Sequence, residues 1–120
     1  MKRYVLLLAY RESVWDEAST EQRQVWMDDH GRFDAFLSEH GRRIATAPLA
    51  TVSDATTVRH VDGQRVVTDG PFAETAETIG GYYDIELPDL DAAIEAAALL
   101  PSGYAIEIRP TITPFEMRVE

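Results

Sequence analysis

No cysteine occurs among the 120 residues. Disulfides, thiolate nucleophiles and cysteine-bound zinc are therefore excluded. Histidine is nearly as scarce, with only His30, His40 and His60. They form no His-x-x-x-His pair, and no carboxylate-rich calcium loop occurs, so neither a metal nor a cofactor is expected. Basic residues are outnumbered, eleven against twenty-one acidic, for a net charge of −10. That field repels phosphate backbones and anionic lipid, so no nucleic-acid or membrane partner is expected. No apolar run approaches the ~20 residues of a membrane-spanning helix. The N-terminal Val5-Leu6-Leu7-Leu8-Ala9 is broken by Tyr10-Arg11-Glu12 and lacks a small-x-small cleavage site. It reads as a buried strand rather than a signal peptide, and a cytoplasmic location is expected.

What is present fits one soluble domain. The length suits a single modest core, and 45 % apolar with 27 % charged residues is ordinary for a globular chain. Residues 3–10 are apolar at both parities, a pattern that needs cover on both faces of a sheet. A loop over 11–18 leads to Ser19, an N-cap with Gln22 three residues on. Val25, Trp26, Phe33, Phe36 and Leu37 keep helical spacing over 20–40, and Gly41 ends the helix. Strands are expected over 43–50, over 56–61 and 64–68 around Asp62-Gly63, over 80–87 and over 104–109. A second helix over 89–100 has Leu90, Ile94 and Ala97 on its expected inner face.

The order β-α-β-hairpin-β-α-β makes an α+β domain of ferredoxin-like type, with its core over about 2–110 and a tail over 111–120. Two helices cover one face of such a sheet, so the second dry face of the first strand calls for another copy, a homodimer. Alternation puts Tyr83, Ile85, Leu87, Tyr104, Ile106 and Ile108 under the helices. Tyr82, Asp84, Glu107 and Arg109 fall on the far face, as lining of a pocket or as solvated charge pairs.

The run Asp69-Gly70-Pro71-Phe72-Ala73-Glu74-Thr75-Ala76-Glu77-Thr78 carries a dense turn signal. With Ala55-Thr56-Thr57-Val58-Arg59, Gly80-Gly81-Tyr82-Tyr83 and Glu107-Ile108-Arg109-Pro110, it resembles the DGPF branch of the YCII-related family over nearly the whole chain. Ala76 stands where that branch usually has lysine. The resemblance implies a ferredoxin-like dimeric α/β barrel and a proposed His–Asp site. His30, on the first helix ahead of Gly41, matches the family histidine. The family's acid precedes a proline after the second helix; here that place is Leu100, before Pro101. Asp69 or Asp84 is the expected substitute partner, with Asp29 and Asp34 as alternatives. Imidazole titrates near neutrality, and a carboxylate would fix its tautomer.

Structural readings stand beside each of these. A histidine on an apolar stripe is commonly a satisfied core residue, and Asp-Gly-Pro-Phe is explained by turn chemistry. Gly80-Gly81 lacks the spacing of a phosphate-binding loop and suits close backbone approach. No serine sits in a nucleophile elbow. Two functions remain open. One is an acid–base enzyme acting on a small organic molecule, with His30, Asp69 and Asp84 catalytic and Tyr82, Thr75, Glu107 and Arg109 binding the ligand. The other is a non-catalytic ligand-binding or regulatory module, which the family's genomic context associates with sigma-factor systems.

Overall fold

A computed structural model of the chain describes residues 1–113. Its strands are β1 (Lys2–Tyr10), β2 (Arg42–Pro48), β3 (Thr56–Val61), β4 (Gln64–Asp69), β5 (Thr78–Leu87) and β6 (Ala105–Pro110). Its helices are α1 (Glu12–Asp16), α2 (Thr20–His40) and α3 (Leu90–Ala97). Four strands make one sheet in the order β2-β5-β1-β6, and every neighbouring pair is antiparallel. β1 and β2 thus run the same way with β5 between them, the split βαβ arrangement compatible with a ferredoxin-like α+β fold. β3 and β4 form a separate two-stranded ribbon.

Local chemistry accounts for most boundaries. The Ser19 side chain accepts from the Gln22 N–H at 3.0 Å, and Asp89 accepts from the Ala92 N–H at 2.9 Å. Each satisfies one of the donors that a helix start leaves free. In the β3–β4 turn Asp62 and Gly63 both take positive φ, 51° and 77°. That pair of angles is what a type I′ hairpin turn requires. The segment after β1 differs from the expected loop: Glu12–Asp16 is helical. The Arg23 guanidinium donates to the carbonyls of Trp15 and Asp16 and ties this short helix to α2.

The core lies between one face of the sheet and α2 with α3. Tyr4, Leu6 and Leu8 of β1 and Tyr83, Ile85 and Leu87 of β5 meet Phe33 and Leu37, and Ala93 and Ala96. The expected inner face of the second helix is corrected in part, since Ala97 does pack against the core. Leu90 and Ile94 are 50 % and 51 % exposed, while Ala93 and Ala96 are fully buried. Small side chains let α3 lie close to the sheet, and branched residues at those positions would hold it off. Val25 likewise faces outward.

Among the described residues no helix packs on the opposite sheet face, where Val5, Leu7 and Tyr82 are half-buried. The described molecule measures 49 × 46 × 18 Å, and its shortest dimension matches one helix layer on one sheet. Its radius of gyration of 16.8 Å exceeds the roughly 14 Å of a compact 120-residue domain. The sheet is open and does not close into a barrel within one chain. Thr111 extends the β6 edge, its N–H donating to the Arg3 carbonyl at 3.0 Å. The rest of the expected tail, from residue 114, lies outside the described residues.

Candidate functional site

His30 sits on α2 four residues after Trp26 and three before Phe33, so it faces the sheet. Its Nδ1 lies 2.7 Å from the Tyr83 hydroxyl and its Nε2 3.0 Å from the Tyr104 hydroxyl. Tyr83 belongs to β5 and Tyr104 stands just ahead of β6, both on the helix-covered side of the sheet. A neutral imidazole has one donor and one acceptor, so one tyrosine donates to the bare nitrogen and the other accepts from the ring N–H.

Burial lowers the His30 pKa from its ordinary value, against the opposing pull of Asp34 and Asp29 on the same helix. Desolvation penalises the imidazolium, so the ring is held neutral at pH 7. Burial also pushes Tyr83 and Tyr104 up to about 12, with nearby Asp34 adding to the effect at Tyr83 and the neighbouring Tyr10 at Tyr104. The three groups form an uncharged hydrogen-bonded chain.

Aromatic rings extend this cluster to the surface. Tyr10 stacks on Tyr104, with centroids 5.1 Å apart and planes 19° from parallel. Gly80 makes room for the Tyr10 ring: a Cβ there would sit 2.2–2.4 Å from Tyr10 side-chain atoms. Trp15 of α1 and Trp26 of α2 approach within 5.8 Å. Tyr10, Trp15, Trp26 and Tyr104, with Arg11 and Glu77, line a cavity of about 210 Å³.

The expected carboxylate partners of His30 are elsewhere. Asp84 lies on the opposite face of the sheet because it follows Tyr83 by one residue, and alternation sends the two in opposite directions. Arg3 holds its carboxylate by two bonds, of 2.9 and 2.6 Å. Asp69 ends β4 opposite Thr56 in the ribbon. Asp29 pairs with Arg32, and Asp34 with Arg43 at 3.2 Å. Tyr82, Glu107 and Arg109 share the far face with Asp84, and Arg109 bonds Glu107 at 3.1 Å. That face thus carries charge pairs at Arg3–Asp84, Arg42–Glu86 and Arg109–Glu107. Among the described residues no cluster of three or more His, Cys, Asp or Glu side chains is placed to hold a metal.

The Asp69–Thr78 run is tied to the ribbon. The Gly70 N–H donates to the Ala55 carbonyl at 2.8 Å, Thr57 Oγ1 donates to the Gly70 carbonyl at 2.7 Å, and Arg59 donates to the Phe72 carbonyl. Phe72 is 73 % exposed rather than packed in a core. Thr75 donates to the Glu77 carbonyl and, with Phe72, lines a broad open hollow of about 750 Å³. His30 does not line it.

The tyrosine partners were missed in the sequence, although a signal existed. Tyr83 and Tyr104 fall on the inner face by alternation, and a phenol taken into a core needs a hydrogen-bond partner. His30 on the inner stripe of α2 was the available one.

The fold and site define a small α+β protein with a neutral His–Tyr cluster beside an aromatic cavity. The chain belongs to the YCII-related family, whose domain is matched over residues 2–115. It is 36 % identical over 111 residues to an uncharacterised protein of Rhizobium meliloti (strain 1021), covering 89 % of this chain and 90 % of that one. No described helix is long and apolar enough to cross a membrane.

Proposed function

We propose that the protein is a homodimeric small-molecule-binding member of its family, of the DGPF branch, in which Tyr104 and His30 relay a proton away from a ligand in the aromatic cavity. The carrying observation is that Tyr104 both lines that cavity and shares a 3.0 Å hydrogen bond with His30. Because His30 is held neutral, it can accept a proton at pH 7, and Tyr104 stays a phenol that can donate one. As the Tyr104 oxygen takes a proton from the ligand, its own hydroxyl proton passes to the bare Nε2, leaving an imidazolium, and Tyr83, accepting from Nδ1–H, holds the ring's orientation. This reading moves the partnership with His30 from Asp69 and Asp84 to the two tyrosines. It leaves Tyr82, Glu107 and Arg109 to the far face.

That far face supports the dimer. Val5, Leu7 and Tyr82 form a half-buried apolar centre with ion pairs at its margin, and a second copy facing it would close the two sheets into a barrel. Sedimentation giving a stable monomer at micromolar concentration would overturn the dimer. The relay is tested by following the His30 ring protons through a pH titration by NMR, in the native protein and in Tyr104→Phe. A pKa below that of an exposed histidine, moved by the substitution, is expected. An ordinary titration unaffected by Tyr104→Phe would sink the relay.

The second reading, a binding module without chemistry, is favoured by the same geometry in one respect: both His30 nitrogens are already occupied by hydroxyls. Ligand binding retained in Tyr104→Phe, with no turnover of any bound compound by the native protein, would select it.

A further inference from the structure

We infer that the aromatic cavity takes a small organic ammonium ion, with Glu77 as its counter-charge and the rings of Tyr10, Trp15, Trp26 and Tyr104 as its walls. This rests on the cavity being a ligand site, and it names the ligand's chemical class. Two physical features converge on it. Four aromatic rings surround about 210 Å³, a volume suited to one ring or a short branched amine rather than to a nucleotide or a peptide. The face of an aromatic ring carries the negative end of its quadrupole, so a cation against any free face of these rings is attracted.

Acidic groups outnumber basic ones around the cavity. Glu77 is on the wall, and among the described residues no hydrogen bond or ion pair engages its carboxylate. The Tyr10 pKa is raised by burial first and then by Glu12 and Asp16, and that of Tyr104 by burial first, with Asp29 the smallest contributor. The whole chain carries −10, so the long-range field also draws cations inward.

The cluster already accommodates one cation. The Arg23 guanidinium lies 4.9 Å from the Trp15 ring centroid, and Arg23 is not part of the cavity wall. It is anchored there by its bonds to the Trp15 and Asp16 carbonyls. The single opposing charge on the wall is Arg11, and it makes the inference sharp. An anionic ligand would depend on Arg11, whereas an ammonium ion would be repelled by it.

Trp15 and Trp26 are the only two tryptophans in the sequence, so intrinsic fluorescence reports on this cavity alone. The probes are 2-phenylethylamine, 2-phenylethanol and 3-phenylpropionate, which share one ring and differ in charge. The amine is expected to bind about tenfold more tightly than the alcohol, the increment that a cation among aromatic faces supplies. The carboxylate is expected to bind most weakly. Glu77→Gln should weaken the amine selectively and Arg11→Ala should strengthen it, with the alcohol unchanged in both.

If the alcohol equals the amine, or the carboxylate binds best and loses its affinity in Arg11→Ala, the ammonium assignment falls while the cavity remains a ligand site. If none of the three perturbs the tryptophans or the indole N–H signals in NMR at millimolar concentration, the cavity reading itself falls. Both tryptophan substitutions risk unfolding, so the two charge variants carry the test.

Discussion

Replacing Tyr83 by Phe removes one oxygen from a residue that is 5 % exposed and leaves ring packing against Phe33, at 4.4 Å, in place. What is lost is the 2.7 Å bond to His30 Nδ1. A neutral hydrogen bond of this kind contributes about 1 kcal/mol net, and an orphaned partner adds a desolvation cost of about 1–3 kcal/mol when fully buried. His30 is half-buried, so water can restore part of that loss. The expected destabilisation is therefore about 1–1.5 kcal/mol, equivalent to a fall in Tm of roughly 3–6 °C for a chain of this size. Urea unfolding followed by tryptophan fluorescence measures it. A double-mutant cycle with His30→Leu isolates the pair: once His30 is gone, Tyr83→Phe should cost much less, giving a coupling of about 1 kcal/mol. A coupling of zero within error, with each single variant destabilised, would refute the bond and leave only packing.

Three further outcomes are expected. Gly80→Ala drives a Cβ into the Tyr10 ring, so it should cost about 1–3 kcal/mol in urea unfolding and shift the fluorescence of Trp15 and Trp26 as the cavity wall moves. Ala93→Leu should cost a similar 1–3 kcal/mol by overpacking the α3–sheet contact, whereas Ile94→Ala, on the outward side, should be nearly neutral. Stability should fall at both extremes of pH. His30, with a folded pKa below the usual ~6.5, favours folding above that value and loses this contribution as pH falls through the lowered pKa. Tyr83 and Tyr104, raised to about 12, contribute fully below the unfolded value near 10 and lose it as pH rises through 12. Ultraviolet titration of tyrosinate should accordingly show two phenols ionising late. Ionisation of all five with one ordinary pKa would contradict the burial of the pair.

Much of the site was legible one residue at a time. The helical stripe of α2 pointed His30 at the sheet, and strand alternation put Tyr83 and Tyr104 inside and Asp84 outside. What could not be read was which inward groups meet. Tyr83 and Tyr104 are 53 and 74 residues from His30 in the chain. They converge because β5 lies beside β1 on one side and β6 on the other, with α2 laid across them. Leu90 and Ile94 of α3 were misread for a related reason: periodicity favours the larger apolar residues, but the α3 side chains against the core are alanines, with Ala93 and Ala96 fully buried.

The Gly80-Gly81 pair shows the boundary between the two kinds of information. Its composition excluded a phosphate loop and implied close approach, but only the tertiary arrangement identifies the Tyr10 ring as what approaches Gly80. By itself the sequence determined the absence of thiol chemistry, the negative field, the order of the strands and the two longer helices, and the family. These depend on composition and on local periods of two and 3.6 residues, which a chain carries along its length. The tertiary structure alone decided that His30 answers to two tyrosines rather than a carboxylate, and that four aromatic rings enclose a cavity. Both depend on strand register and helix placement, which bring together side chains that no local pattern relates.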